Sequence, residues 1–199
     1  LLSNYSKSNS KDCKLLRNPG KDIGEDSAYP YAETSTEGSN MLKVEIKDLP
    51  EIRVAYFRHI GPYDMLSQVF EKLAKWAGPR GLFNRPEARV IAVYHDNPEI
   101  TEKDKLRTSV CITVPDEFRP EPESGVELMT IPGGKFAVAS GELALGEFEA
   151  AWNWFLGDWM PGSGWQPDDR VCYEVYLNNH EDHPEKKFIV EIREPVRPL

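Results

Sequence analysis

The chain nearly repeats itself, and the repeat limits what it can fold into. Under a shift of 82 positions Leu49-Pro50 falls on Ile131-Pro132 and Val54-Ala55 falls on Phe136-Ala137. Leu66, Phe70 and Leu73 fall on Phe148, Trp152 and Phe155, and Val93-Tyr94 falls on Val175-Tyr176. The match breaks just before that last pair, where Ala92 in the first copy answers to Glu174 in the second. A duplicated unit with an acid added in one copy implies a pseudo-symmetric scaffold carrying an asymmetric site.

Hydrophobic periodicity gives both copies the same order of elements. Leu42, Val44 and Ile46 alternate with Lys43, Glu45 and Lys47, the pattern of a half-buried strand. Arg53 to Arg58 is predicted as a second strand, and Pro62 then opens a helix whose apolar stripe is Leu66, Val69, Phe70, Leu73 and Ala77. Gly78-Pro79 ends it, and strands over Arg89–Tyr94 and Leu106–Val114 complete the unit. In the second copy Val126–Ile131 and Lys135–Ser140 are strands flanking the turn signal Pro132-Gly133-Gly134. Leu145, Phe148, Trp152, Phe155 and Trp159 are spaced as one helix face, and Val171–Asn178 and Phe188–Arg193 are the last strands. The halves run over about 42–115 and 126–197. A helix stripe between strand pairs, twice, predicts an α+β fold in which two helices cover one sheet or two fused sheets, with a ligand groove between the helices.

Composition excludes several classes. With 24 basic and 33 acidic residues among 199, the net charge of −9 opposes contact with a phosphate backbone, so no direct nucleic-acid contact is expected of this segment. Cys13, Cys111 and Cys172 are too few and scattered for a disulfide framework, and without His or Cys clusters neither a metal nor another cofactor is expected. No apolar run reaches the roughly 20 residues of a membrane span, and the N-terminus does not read as a signal peptide. We read a reducing, cytoplasmic setting. The chain begins Leu-Leu rather than Met, as a fragment or processed form would. Residues 1–40, rich in Ser, Asn, Lys and Gly with no helix or strand period, read as a linker or extended arm ahead of a folded domain over 41–199.

Alternation places Cys172, Glu174 and Tyr176 on one face of their strand and Val171, Tyr173, Val175 and Leu177 on the other. A glutamate in mid-strand among apolar residues must find donors or a cation, or take up a proton. As a pocket floor walled by aromatics it suits an amphipathic cation; as a structural residue it is an edge position or one half of an ion pair. Tyr176 shares its face, and Tyr94 is the repeat mate of Tyr176. Tyr63 either lines the groove or caps the first helix, Trp159 either stacks on a ligand or packs in the core, and Trp165 reads as a groove rim. Cys172 has no base or cation nearby in sequence and reads as inert. His180 and His183 read as part of a solvated loop, and His59 as a structural histidine.

These blocks, in order, resemble a known family. Leu49-Pro50-Glu51-Ile52-Arg53-Val54-Ala55 with Gly61-Pro62-Tyr63, then Ile91 to Glu99, Lys105-Leu106-Arg107, Ile131 to Lys135, Trp159 to Gly164 and Tyr173-Glu174-Val175-Tyr176-Leu177-Asn178 are similar to the GyrI-like small-molecule-binding domain over about residues 41–198. The resemblance implies a tandem duplicated β-α-β-β core of SHS2 type, an antiparallel sheet with two helices on one face. It implies a small-molecule effector, cationic or amphipathic and aromatic, met by Glu174, in AraC-type or MerR-type transcription regulators. Asn18-Pro19-Gly20-Lys21-Asp22 looks like the linker after an AraC-type DNA-binding domain, which would lie upstream. Other members imply alternatives: hydrolysis of strained electrophilic toxins, with Glu174 as general base, or inhibition of gyrase by direct binding. The chain departs from the family over Ala139-Ser140-Gly141-Glu142-Leu143, where relatives often carry a Gly-Pro-Tyr-like start to the second helix.

Overall fold

The computed structural model describes residues 42–199. The 1–40 arm, Cys13 and the Asn18–Asp22 linker lie outside the described residues. Among the described residues there are nine strands: β1 (Leu42–Leu49), β2 (Ile52–Ile60), β3 (Val90–Tyr94), β4 (Arg107–Thr113), β5 (Glu127–Ile131), β6 (Gly134–Leu143), β7 (Trp165–Pro167), β8 (Cys172–Tyr176) and β9 (Phe188–Pro198). Eight run side by side in the order β1-β6-β9-β8-β3-β4-β2-β5, and β7 pairs with the end of β9. All pairings are antiparallel.

That order is palindromic under the repeat. β3 maps to β8, β4 to β9, β2 to β6 and β1 to β5, so the sheet has a pseudo-twofold axis between β3 and β8. In that central pair Ala92 stands directly opposite Glu174. The two residues that the repeat superposes therefore face each other across the axis.

Each copy lends its first strand to the other half. β1 pairs with β6 and β5 with β2, although β1 and β2 are separated only by Pro50 and Glu51. A two-residue hairpin needs left-handed residues in its turn, and neither Pro50-Glu51 nor Pro132-Gly133 has a positive φ. The chain crosses between halves instead, and Pro132-Gly133-Gly134 does not join hairpin partners. The two links touch: a Cβ on Gly133 would lie 2.6 Å from Leu49 O and 2.7 Å from Glu51 N, both backbone atoms. Glu51 is the repeat mate of Gly133, so the pseudo-axis passes here as well.

The helices occupy matching positions but differ in form. Helix α1 (Leu66–Ala77) is regular over 12 residues and buries Leu66, Phe70, Leu73, Trp76 and Ala77 against β2 and β4. The corresponding stretch starts as α2 (Phe148–Asn153) and widens to a π-helix over Trp154–Trp159 before a last turn, Met160–Gly162. The sequence places Trp159 on the buried stripe with Trp152 and Phe155. A π-turn bonds i to i+5 and holds more residues per turn, so the stripe is rotated: Met160 is buried, while Trp159 is half-buried with its ring tilted on Phe155 at 5.6 Å. Trp165, read as a groove rim, instead opens β7 and packs against the core of the second half. The second helix starts through Ala144 and Glu147 rather than a Gly-Pro-Tyr turn, with the Glu147 carboxylate accepting from Ala144 N–H at 2.7 Å. The sheet face away from the helices carries its own core, including Val54, Ile91, Ile131, Phe136, Tyr173 and Val175.

Candidate functional site

Glu174 sits at the centre of the helix-bearing face and is 2% exposed. Its carboxylate accepts three hydrogen bonds, all from aromatic side chains. Tyr176 Oη donates to Oε2 at 2.6 Å, Tyr94 Oη donates to the same oxygen at 2.9 Å, and Trp152 Nε1 donates to Oε1 at 2.6 Å. Burial pushes the carboxyl above the ordinary carboxylate range, and the bonds from Tyr176, Trp152 and Tyr94 pull the other way. No cation is among the groups that act on it. The structure thus gives Glu174 neutral donors rather than an edge position or an ion pair.

The repeat explains how these groups meet. Tyr94 and Tyr176 are mates at the ends of β3 and β8, so the symmetry aims both phenols at the axis, where the one acid stands. Trp152 is the mate of Phe70; the larger ring carries the N–H that Phe lacks. Around them the aromatics form a continuous set. Tyr63 meets Tyr94 edge-on at 5.3 Å, Tyr94 meets Trp152 at 6.1 Å, and Phe70 and Phe148 approach Tyr176 at 5.4 and 6.3 Å. Rings from both helical segments therefore close over Glu174.

Open volume lies to either side of this cluster. One cavity, about 210 Å³, is walled by Phe70, Phe83, Val90, Tyr176, His180 and Phe188. His180, read from sequence as part of a solvated loop, is stacked on Phe188 at 4.2 Å and forms part of this wall, with its Nε2 3.1 Å from Glu181 Oε1. The second cavity, about 270 Å³, is lined by Tyr94, Trp152, Asp168, Arg170 and Glu194 among others.

Of the residues singled out in the sequence, Glu174, Tyr176, Tyr94 and Tyr63 come together. Trp159 lines neither cavity. Cys172 is half-buried in the wall of the second cavity, and His59 is tied to Pro62 O at 3.0 Å. Sequence reasoning treated Trp152 as a core stripe residue only. The signal was present in its pairing with Phe70, since replacing a ring with one that carries a donor, opposite an added acid, is a correlated change. Among the described residues no group of three or more His, Cys, Asp or Glu is arranged to hold a metal, and no helix is long and apolar enough to cross a membrane.

Comparison with known proteins places the fold. Residues 42–197 match the GyrI-like small molecule binding domain. A DNA gyrase inhibitor of Escherichia coli (strain K12) is 34% identical over 140 residues, covering 69% of this chain and 87% of its own length. The C-terminal domain of EcmrR superposes with a TM-score of 0.61 at 19% identity, covering 79% of this chain and 99% of that domain. SAV2435 bound to tetraphenylphosphonium superposes at 0.54 with 11% identity over 78% and 94% of the two chains, and a hydrolase from Listeria innocua at 0.54 with 15% identity over 78% and 92%. With the sheet order, the two helical segments and the match over nearly all described residues, the chain belongs to the GyrI-like small-molecule-binding domain family.

Proposed function

We propose that this domain holds a small cationic or amphipathic aromatic effector against Glu174 and its aromatic surround, and that occupancy regulates transcription through an AraC-type DNA-binding domain upstream, in the cytoplasm. The observation that carries this reading is the buried Glu174 carboxylate supplied only with neutral donors. A cation brought beside it would favour the ionised form that burial disfavours, so charge on the ligand is rewarded at this point in the fold. The surrounding rings add cation–π and stacking contacts. Tetraphenylphosphonium, the ligand in the SAV2435 structure, has this character. Regulation further requires that the ligand prefer one of two states of the protein.

Calorimetry with tetraphenylphosphonium and neutral triphenylphosphine oxide tests the reading. Glu174→Gln, which keeps shape and most hydrogen bonds, should weaken the cation by about tenfold, or about 1.4 kcal/mol, while leaving the neutral compound unaffected. Equal affinities of wild type and variant for the cation would remove the claim.

A second reading rests on the same carboxylate. A buried glutamate with raised proton affinity, flanked by two phenols, has the make-up of a general base for adding water to a strained electrophile, and a structural neighbour is described as a hydrolase. Incubation with a cyclopropane-containing toxin distinguishes the two: hydrolysed product supports the enzyme, and binding without product supports the sensor. The 34% identity to a DNA gyrase inhibitor raises a third reading, binding to gyrase itself, which a pull-down with purified gyrase tests.

A further inference from the structure

A recess of about 330 Å³ opens where β2 starts and β4 ends, with Arg53, Arg85, Glu87 and residues 113–116 in its lining. It shares no residue with the two cavities beside Glu174. The repeat shows why it is open. Under the shift of 82, Arg85 falls on Pro167 and Val114 on Val196, and in the second copy those two are paired, β7 against the end of β9. In the first copy the matching residues 83–85 overlap a 3₁₀ turn, Leu82–Asn84, and form no strand. Pro86 likewise answers to Asp168, whose N–H donates to Pro195 O at 3.0 Å. Proline has no N–H to give, so the matching acceptor, Thr113 O, is met instead by Arg85 Nη2 at 2.7 Å.

That structural task uses one nitrogen of Arg85. Its Nε and Nη1 are buried without a hydrogen-bond partner, and so is Arg53 Nε. Arg53 Nη2 reaches Phe118 O at 3.5 Å, a marginal bond. Glu87 comes to 3.8 Å of Arg85 Nε, beyond hydrogen-bond range, and its side chain is 70% exposed. A guanidinium stays charged, and its buried N–H groups cost free energy until an acceptor meets them. Two half-buried arginines with spare donors in one recess have the make-up of an oxyanion site. The rest of the lining narrows the choice. Ile52, Val114 and Pro115 supply apolar surface, while Glu51, Glu87 and Asp116 are exposed carboxylates. Water and salt screen exposed charges, so these acids do not cancel a direct bond to a guanidinium. They do oppose a second negative charge on the ligand. The lining therefore favours a monoanion with an apolar tail over a phosphate monoester.

We propose that this recess is a ligand site for a short aliphatic monocarboxylate, whose carboxylate is held by Arg53 and Arg85 and whose chain lies against Ile52, Val114 and Pro115. The end of β4 positions both arginines: Val114 N–H donates to Arg53 O at 3.0 Å, and Thr113 O holds Arg85. The duplication gives this site to one copy only. Lys135 and Pro167 stand where Arg53 and Arg85 do, Lys135 is 3.4 Å from Asp48, and Pro167 is part of β7. The site is separate from Glu174 and does not depend on the effector reading above.

Sodium butyrate, with neutral butyramide and inorganic phosphate as controls, probes the site on the full 199-residue chain at constant ionic strength. The methyl NMR signals of Ile52 and Val114 report where the probe sits, because both residues line this recess. Butyrate should shift them saturably, butyramide should not, and phosphate should bind at least ~5-fold more weakly. Arg53→Lys and Arg85→Lys keep the charge and lose the planar fork, so each should weaken butyrate at least ~5-fold. If Arg85→Lys does not fold for want of the bond to Thr113 O, Arg53→Gln decides. Arg53 makes only the long bond to Phe118 O, so this variant should keep the wild-type melting temperature and lose saturable butyrate binding. Glu174→Gln should leave butyrate affinity unchanged. Butyrate that moves neither methyl signal, or that binds Arg53→Gln as it binds wild type, overturns the site. Butyramide that binds as well as butyrate overturns recognition by the arginines, and tighter binding of phosphate overturns the monocarboxylate assignment. Butyrate binding lost in Glu174→Gln overturns the separation of the two sites.

Discussion

The two halves share a backbone plan and diverge wherever the pseudo-axis meets the chain. At the sheet centre the first copy has Ala92 and the second Glu174, facing each other. At the crossing of the links the first has Glu51 and the second Gly133, in contact. In both places one partner is reduced to a methyl or a hydrogen. The difference teaches why a duplicated fold cannot stay symmetric: residues on the axis meet their own mates, so a large or charged side chain there excludes its twin. The functional acid occupies one such point.

Restoring symmetry in the charged direction should therefore do the most damage. Ala92→Glu puts a second carboxylate at 0% exposure beside Glu174, whose three donors are already committed. An uncompensated buried charge costs on the order of 3–5 kcal/mol. Chemical denaturation should show that loss at neutral pH, with partial recovery in acid as one carboxyl takes a proton. A variant as stable as wild type would mean that the axis is open to water.

Gly133→Ala tests the other crossing. Its Cβ would meet backbone atoms of Leu49 and Glu51 at 2.6 and 2.7 Å, and neither can move without shifting a strand. Overpacking of this kind costs about 1–3 kcal/mol. Glu51→Ala, the same substitution in the mate, should cost little because Glu51 is exposed. A small effect at Gly133 would show that the links can separate.

Trp152→Phe makes the site symmetric in its rings, since Phe is what the first copy carries. It removes the donor to Glu174 Oε1 and should cost about 1–2 kcal/mol. It also has a pH signature. Burial raises the Glu174 carboxyl in the folded state above its ordinary value in an unfolded chain. Its contribution to stability is full below that value and is lost as pH rises through the folded one. Losing a donor to the carboxylate raises the folded value further, so melting temperature should decline over a wider pH range in Trp152→Phe than in wild type. Glu174→Gln should lack this component of the decline altogether.

The repeat made the scaffold legible because its evidence was spread over many positions: strand alternation, the first helix stripe, the Trp152 and Phe155 core of the second and the Ala92/Glu174 mismatch all survive in the structure. Local pattern failed where long-range geometry decided. Pro50 and Pro132, whose φ is fixed negative, argue against a tight two-residue hairpin at either link, but which strand each link leads to depends on long-range pairing. Trp159 is at helical spacing, and only the π-turn before it swings it off the stripe. Arg170 lies in a segment without period and Glu194 one residue past the strand predicted over Phe188–Arg193, and they line the same cavity because β8 and β9 are neighbours.

The smallest difference between the halves is at the helix starts, and it can be tested in both directions. In the first copy Met65 N–H bonds to Pro62 O, and in the second Glu147 N–H bonds to Ala144 O, at mate positions. Pro62 has no N–H to satisfy. Ala144 has one, and the Glu147 carboxylate accepts from it. The two copies thus solve one problem in two ways, by removing a donor or by supplying an acceptor. Glu147→Met, which installs the first copy's residue, should cost about 1 kcal/mol by leaving the Ala144 donor without its acceptor. Adding Ala144→Pro should restore most of that loss. Ala144 has φ of −72°, within proline's range, and the preceding Leu143 ends a strand, where a residue before proline is comfortable. Ala144→Pro alone should gain little, since it removes a bond already made. A double-mutant cycle by thermal denaturation measures the coupling directly. Additive effects would mean that Glu147 holds the helix start by some contact other than this one.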